Sequence, residues 1–171
     1  MRVGGILKQM KKLIGATLFF MLASSMAGAL ASVVAEQVVA AVETVAGPLT
    51  IVASDDGSEH AAVLNGRVRL YRAETYGVEG AGLKFEKVFG AFAKGQDVVV
   101  LSESDGGTGC RATYVLMAVK ADGTSDVTDA FGNCAAPSYA QRGAKLYVKF
   151  PAFKDTPAET WVYDGAELSK Q

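Results

Sequence analysis

His60 is the only histidine of the chain and the first residue to consider for acid–base chemistry. It follows Asp55, Asp56 and Glu59, and nearby carboxylates can tune an imidazole as a general base. Neither a G-x-S-x-G motif nor an unpaired cysteine accompanies it, so no nucleophile is indicated. The Asp56-Gly57 turn signal just upstream marks the entry into a strand, which predicts an ordinary surface histidine.

Three aspartates, Asp122, Asp126 and Asp129, raise the question of a calcium site. Their spacing does not match the D-x-[DN]-x-[DN]-G loop that binds this ion. In a strand, Asp126 and Asp129 would also point to opposite sides. Because aspartate is favoured in turns, we interpret all three as turn and edge residues and predict no metal site.

The glycine-rich stretch 106–109 (GGTG) resembles a phosphate-binding loop only in composition. Such loops join a strand to a helix N-terminus and usually carry a lysine. Here Cys110 and a strand-like segment follow, which indicates a loop leading to a disulfide. Glu103 and Asp105 could serve as a glycosidase pair only at a suitable separation in space. We predict no catalytic residue and no cofactor.

Cys110 and Cys134 are the only two cysteines. An even count favours one intramolecular disulfide where the compartment is oxidising. The segment Ala121–Gly123 suits a three-residue hairpin loop centred 12 residues from each cysteine, which would bring the two cysteines face to face. The alternative of a redox or metal pair lacks a C-x-x-C motif, so we predict a structural Cys110–Cys134 bridge.

The first 31 residues have the order of a secretory signal peptide. They hold four basic and no acidic residues, then an apolar run at 13–22 and small residues at 23–29. The small-x-small pattern Ala29-Leu30-Ala31 predicts cleavage after Ala31, with Ser32 as the new N-terminus, and cuts after Ala29 or Ala35 are the alternatives. The alternative is an uncleaved anchor, because residues 13–35 carry no charge and are long enough to span a bilayer. The short apolar run favours cleavage.

The exported part has a different charge from the whole chain. Without the four basic residues of the signal, 13 basic residues face 18 acidic ones, a net charge of −5. A nucleic-acid partner needs a basic surface, so none is predicted. A membrane contact is predicted only through the N-terminal segment, if that segment is not cleaved.

The remaining sequence predicts an all-β domain. Residues 32–47 are rich in Ala and Val and are interpreted as a helix or an extension. From residue 48 to 171, nine or ten short apolar runs alternate with turn signals such as Asn65-Gly66. Parallel crossovers are not visible, so the prediction is an antiparallel meander forming a sandwich or a small barrel. The runs at 98–101 and 114–117 are apolar on both faces and should be central strands.

A contact surface is predicted near the disulfide, where loops 104–111 and 135–142 would meet. Exposed tyrosine next to arginine or lysine is typical of recognition surfaces. Tyr147 stands between Lys145 and Lys149 on the polar face of its strand. The candidate partner-contact residues are Arg111, Tyr139, Arg142 and Tyr147.

The segments Gly106–Tyr114 (GGTGCRATY) and Phe131–Cys134 (FGNC) resemble a pattern of small exported β-rich proteins of Gram-negative bacteria. The resemblance implies a periplasmic or secreted β protein and supplies no catalytic residues. By architecture alone, the chain is also similar to periplasmic lysozyme inhibitors.

These observations predict an exported, non-enzymatic binding protein of the periplasm or cell surface. Its partner would be another protein or an envelope component, for example a hydrolase that it inhibits or a toxin that it neutralises. The alternative is a structural or assembly component of the envelope, anchored by its N-terminal helix. A third possibility is an enzyme with a dispersed carboxylate pair.

Overall fold

The structure is a computed structural model, and it describes residues 36–75, 78–92, 95–107, 109–110 and 112–171. The predicted signal peptide with its helix, and the candidate contact residue Arg111, lie outside the described residues. Within the described part, the chain forms twelve β-strands. They are β1 (Glu36–Thr44), β2 (Gly47–Ser54), β3 (Glu59–Leu64), β4 (Val68–Glu74), β5 (Gly82–Phe89), β6 (Gln96–Ser104), β7 (Thr113–Lys120), β8 (Ser125–Val127), β9 (Ser138–Arg142), β10 (Lys145–Phe150), β11 (Glu159–Tyr163) and β12 (Leu168–Lys170).

The strands form three antiparallel sheets of four strands each, and within each sheet the strands are paired in the order in which they follow along the chain. We call β1–β4 the N-terminal sheet, β5–β8 the central sheet and β9–β12 the C-terminal sheet. The all-β antiparallel meander predicted from the sequence is confirmed. No helix that could span a membrane is found among the described residues.

The central sheet is covered on both faces. Val98 and Val100 belong to a core cluster with Leu146 and Val148 of the C-terminal sheet. The alternate residue Val99, on the opposite face of β6, belongs to a second cluster with residues of the N-terminal sheet. The three sheets therefore stack as a three-layer sandwich, and the prediction that the runs in β6 and β7 are central is confirmed.

Tight turns explain why successive strands pair so regularly. Asn65 and Gly66 have φ angles of 52° and 65°, and the Arg67 N–H donates to the Leu64 carbonyl at 3.1 Å. Two successive positive φ angles characterise the hairpin turn whose twist matches the flanking strands. At the predicted Ala121–Gly123 loop, Gly123 has a φ of 83°.

The prediction of a helix or extension at residues 32–47 is wrong for Glu36–Thr44, which forms β1 and pairs with β2. A shift of register between Val38 and Ala40 breaks the polar–apolar alternation that would have indicated a strand. The β-branched valines and the adjacent partner strand favour the extended backbone over a helix.

Two further segments differ from the sequence-based assignment. The sequence of residues 126–131 favours a single strand, but β8 ends at Val127. Beyond it, the Thr128 N–H donates to the Leu116 carbonyl at 3.0 Å, and Phe131 forms a bridge to Tyr114. Residues 138–142 of the expected second loop form β9, which leads away from the disulfide along β10. β9 is mostly polar and has no apolar alternation of its own. Its extended conformation therefore depends on its pairing with β10.

Two adjacent polar residues at the start of β6 connect the layers. Gln96 donates from Nε2 to the Gly165 carbonyl of the C-terminal sheet at 3.1 Å. Asp97 accepts the Val45 N–H, in the β1–β2 turn, at 2.6 Å and the Ala91 N–H at 2.8 Å. Both side chains are buried, and each points to a different neighbouring sheet because successive residues of a strand alternate.

The predicted disulfide is present between Cys110 and Cys134, with Cα atoms 4.8 Å apart. It closes the β7–β8 hairpin at its open end, where the chain leaves the central sheet for β9. Asn133, next to Cys134, is buried and donates to the carbonyls of Pro151 (2.8 Å) and Pro157 (3.0 Å). The bridge and this amide together fix the connection between the two sheets.

We expect the Cys110→Ser/Cys134→Ser variant to lose about 3–4 kcal/mol of unfolding free energy, because the bridge closes a loop of roughly 25 residues in the unfolded chain. Denaturant unfolding in oxidising buffer measures the loss. Reduced wild-type protein is the control and should match the variant. A loss below about 1 kcal/mol would contradict a stabilising role for the bridge.

Candidate functional site

His60 is a structural contact between two sheets rather than a free surface residue. It lies on β3, is partly buried, and its Nδ1 accepts the Leu83 N–H of β5 at 3.2 Å. Gly82, with a φ of 127°, allows this approach, because a Cβ there would overlap the imidazole ring. Because Nδ1 accepts a hydrogen bond, it carries no proton in this contact, and burial lowers the pKa of His60 below its usual value of 6.5.

Glu103, considered for catalysis, and Asp122 and Asp126, considered for calcium binding, are also engaged in structural contacts. Glu103 accepts a hydrogen bond from the Tyr71 hydroxyl at 2.7 Å, which links β6 to β4. Asp122 accepts the Thr124 N–H at 2.9 Å within its turn. Asp126 forms an ion pair with Lys120 at 2.8 Å. Turn and edge roles therefore account for these two aspartates, as the sequence predicted.

The candidate contact residue Tyr139 points inward from β9. Its ring meets the ring of Phe89 edge-on, with centroids 6.1 Å apart. Its buried hydroxyl has no hydrogen-bond partner among the described residues. Burial, together with the charge of Glu86, raises the pKa of Tyr139. The structure thus separates Tyr139 from Arg142 and Tyr147, which lie on the opposite face of the C-terminal sheet.

Arg142 and Tyr147 come together on the solvent-facing side of the C-terminal sheet. Leu146 and Val148 of β10 enter the core, so the alternate residues of this strand point outward. The Arg142 guanidinium lies over the Tyr147 ring, 5.5 Å from its centroid. We call this side of the sheet the basic face; its charged and aromatic residues are Arg142, Lys145, Tyr147 and Lys149.

The register of the strands determines how the basic face is laid out. Lys145 lies opposite Arg142, and Lys149 lies between Ser138 of β9 and Thr160 of β11. Tyr147 lies between two small or branched apolar residues, Ala140 and Val162. The face therefore has a cationic row at each end and an apolar, aromatic row between them.

The cations of the basic face have no ion-pair partner among the described residues. Asp164, in the turn after β11, is close enough to Lys145 to feel its charge. The N–H groups of Glu167 and Ala166 lower the pKa of Asp164, and Lys145 adds a smaller effect in the same direction. Arg142, Lys145 and Lys149 are all exposed, so their charges are available to a partner.

The solvent-facing side of the N-terminal sheet provides the contrast. There Arg69 forms ion pairs with Glu36 and Glu59, and Arg72 also pairs with Glu59. Charges of opposite sign thus neutralise one another across β1, β3 and β4. Arg69 and Arg72 are therefore paired with glutamates, whereas the three cations of the basic face have no ion pair among the described residues.

Sequence reasoning identified two of the four residues of the basic face as contacts. Lys145 and Lys149 were recognised only as neighbours of Tyr147 on its strand. The period-2 alternation of β10 was the signal that could have added them. Arg142 was placed near the disulfide, whereas β9 carries it to the far end of the sheet.

Comparison of the chain with protein-family models, with curated proteins and with solved structures found no match.

We expect the pKa of His60 to lie below 6.5 in the folded protein, which the single imidazole signal in a proton NMR titration would measure. Because the unfolded chain then binds this proton more readily, stability is complete above about pH 6.5 and falls as the pH drops below it. His60→Gln, which can still accept the Leu83 N–H, should remove this part of the pH dependence. A folded-state pKa at or above 6.5 would show that the imidazole is not desolvated.

Proposed function

We propose that this protein is an exported, non-enzymatic binding protein whose basic face engages an acidic partner protein in the periplasm or at the cell surface. One observation carries the proposal: Arg142 lies over Tyr147 on a face whose lysines have no ion pair within the described part of the chain. The function follows from what such a face can bind.

Arginine and tyrosine are the residues that most often dominate the binding energy of protein interfaces. A guanidinium held over an aromatic ring loses less conformational entropy when it binds a carboxylate. The small side chains beside Tyr147, Ala140 and Val162, allow a partner to approach the ring closely. These features support Arg142 and Tyr147 as the centre of the contact.

The charge distribution favours an acidic partner. The exported part has a net charge of −5, so a face that carries three cations is unlike the rest of the molecule. Complementary charge accelerates association and selects the orientation of the partner. A hydrolase inhibitor or a toxin-neutralising protein would work by covering an acidic surface in this way.

The engagement of the titratable groups supports a non-enzymatic role. His60 accepts a backbone hydrogen bond between two sheets, and Glu103 accepts one from Tyr71. Glu86 accepts the Ser102 hydroxyl at 2.6 Å. Catalytic acids and bases need access to a substrate, whereas these groups are used to connect strands.

Export is supported by two independent features of the chain. The signal pattern at residues 1–31 directs translocation. The Cys110–Cys134 bridge is typical of oxidising compartments.

A second candidate function is assembly into the envelope through β1. This strand is a nine-residue edge of the N-terminal sheet, and Val38 and Val39 on it are 60% and 49% exposed. Exposed edge strands can pair with a strand of another chain. The strand begins at Glu36, close behind the predicted signal, so an uncleaved anchor would place it near the membrane.

We expect a partner captured from envelope extract by the wild-type protein to be retained at least about ten-fold less by the Arg142→Ala/Lys145→Ala/Lys149→Ala variant, since charge-assisted contacts are each worth about 1.5–3 kcal/mol. The partner should be acidic, and high salt should release it. Quantitative mass spectrometry of the eluates measures retention.

The matched control is Arg67→Ala/Lys84→Ala/Lys87→Ala, which removes the same charge from exposed positions elsewhere. Equal retention by the two triple variants would refute the basic face as the binding site.

We expect protein recovered from an exporting host to begin at Ser32, because the short apolar run is cleaved as a signal. Intact mass spectrometry of the periplasmic and membrane fractions decides this. A product in the membrane fraction that still begins at Met1 would favour the anchored assembly component instead.

A further inference from the structure

A cleft opens between the central and the C-terminal sheets at the edge formed by β8 and β12. Both edge strands have only three residues, whereas their neighbours β7 and β11 have eight and five. The central and C-terminal sheets therefore do not fully cover each other along this edge. The resulting cleft has a volume of about 420 Å³, which lies within the range of small-ligand sites.

The inner wall of the cleft is apolar and aromatic. It includes Trp161, Leu168 and the buried Phe131, whose ring centroid lies 5.4 Å from that of Trp161. Tyr163 also lines the cleft, and its ring stacks on Phe92, with centroids 5.9 Å apart, so the wall is fixed by the core. Such a wall can bury the hydrocarbon part of a ligand without rearrangement.

The mouth of the cleft is acidic. Asp126, Asp129 and Glu167 line it, and no lysine or arginine does. Asp126 is neutralised by Lys120. Asp129 and Glu167 are exposed and have no ion pair within the described residues, so two unpaired carboxylates line the cleft.

Lys170, a basic residue beside the inner wall, does not neutralise these carboxylates. The Lys170 ammonium lies 5.8 Å from the centroid of the Trp161 ring and forms an ion pair with Glu159 at 2.6 Å. Glu159 in turn accepts the Trp161 indole N–H at 2.9 Å. Lys170 is thus paired with Glu159 of the adjacent strand, and it does not pair with Asp129 or Glu167.

We propose that this cleft binds an organic cation: a primary amine attached to an aromatic or similarly apolar group of a few carbon atoms. The apolar group packs against Trp161 and Leu168, and the ammonium group contacts Asp129 and Glu167. An anion of the same shape is repelled by these carboxylates, and a neutral analogue lacks the charge-assisted hydrogen bonds. The proposal is independent of the basic face, which lies on the other side of the C-terminal sheet.

The chain has a single tryptophan, and it lines the cleft, so its fluorescence reports directly on the site. The protein purified from an exporting host is titrated with phenethylammonium, 2-phenylethanol and phenylacetate. We expect a saturable change with phenethylammonium and binding about ten-fold weaker for the neutral alcohol, which lacks the charge-assisted hydrogen bonds. We expect no binding of the anion, because the carboxylates repel it.

Two variants test whether Asp129 and Glu167 bind the ammonium group. Asp129→Asn/Glu167→Gln should weaken phenethylammonium binding about ten-fold, and Asp155→Asn, an exposed carboxylate outside the cleft, should leave it unchanged. Equal binding of the amine and the anion, no saturable change with the amine, or undiminished binding by the double variant would each overturn the proposal.

Discussion

The structure depends on a central sheet whose two middle strands are apolar on both faces. Every residue from Gln96 to Ser102 of β6 is buried, and so are the residues from Tyr114 to Val119 of β7. Because apolar surface must leave water on both sides, this sheet needs a layer above it and a layer below it. The N-terminal and C-terminal sheets supply these layers, so each has one core face and one face left for solvent or a partner.

The same constraint accounts for the placement of the polar groups. Burying a polar side chain between the layers is costly unless it is hydrogen-bonded. Gln96, Asp97, His60 and Asn133 have backbone partners, whereas the buried Tyr139 hydroxyl has none among the described residues. Chemistry with outside molecules is left to the outer sides of the sandwich and to its open edge. The basic face and the β8–β12 cleft are such places, and they differ in charge because different strands supply them.

A part of the fold could be predicted from the sequence where local interactions form it, and could not where it depends on pairing with another strand. The Asn65-Gly66 turn and the disulfide could be predicted because their signals are short-range or compositional. β1 was missed because its bulge interrupts the alternation, and β9 because a polar edge strand has no apolar pattern of its own. Both strands form because a neighbouring hairpin strand provides hydrogen-bond partners, which no local pattern contains. The inward position of Tyr139 followed from the missed β9.

The sequence by itself determined an antiparallel β protein with one disulfide, two central strands and a signal-like N-terminus, because period-2 alternation, turn chemistry and cysteine count are readable along the chain. The tertiary structure alone decided how the strands divide into three sheets and which charges are neutralised. Arg69 and Arg72 find glutamates across their sheet, whereas Arg142, Lys145 and Lys149 do not. The reason is that neutralisation depends on cross-strand register, and register is set by packing on the central sheet rather than by the charged residues themselves.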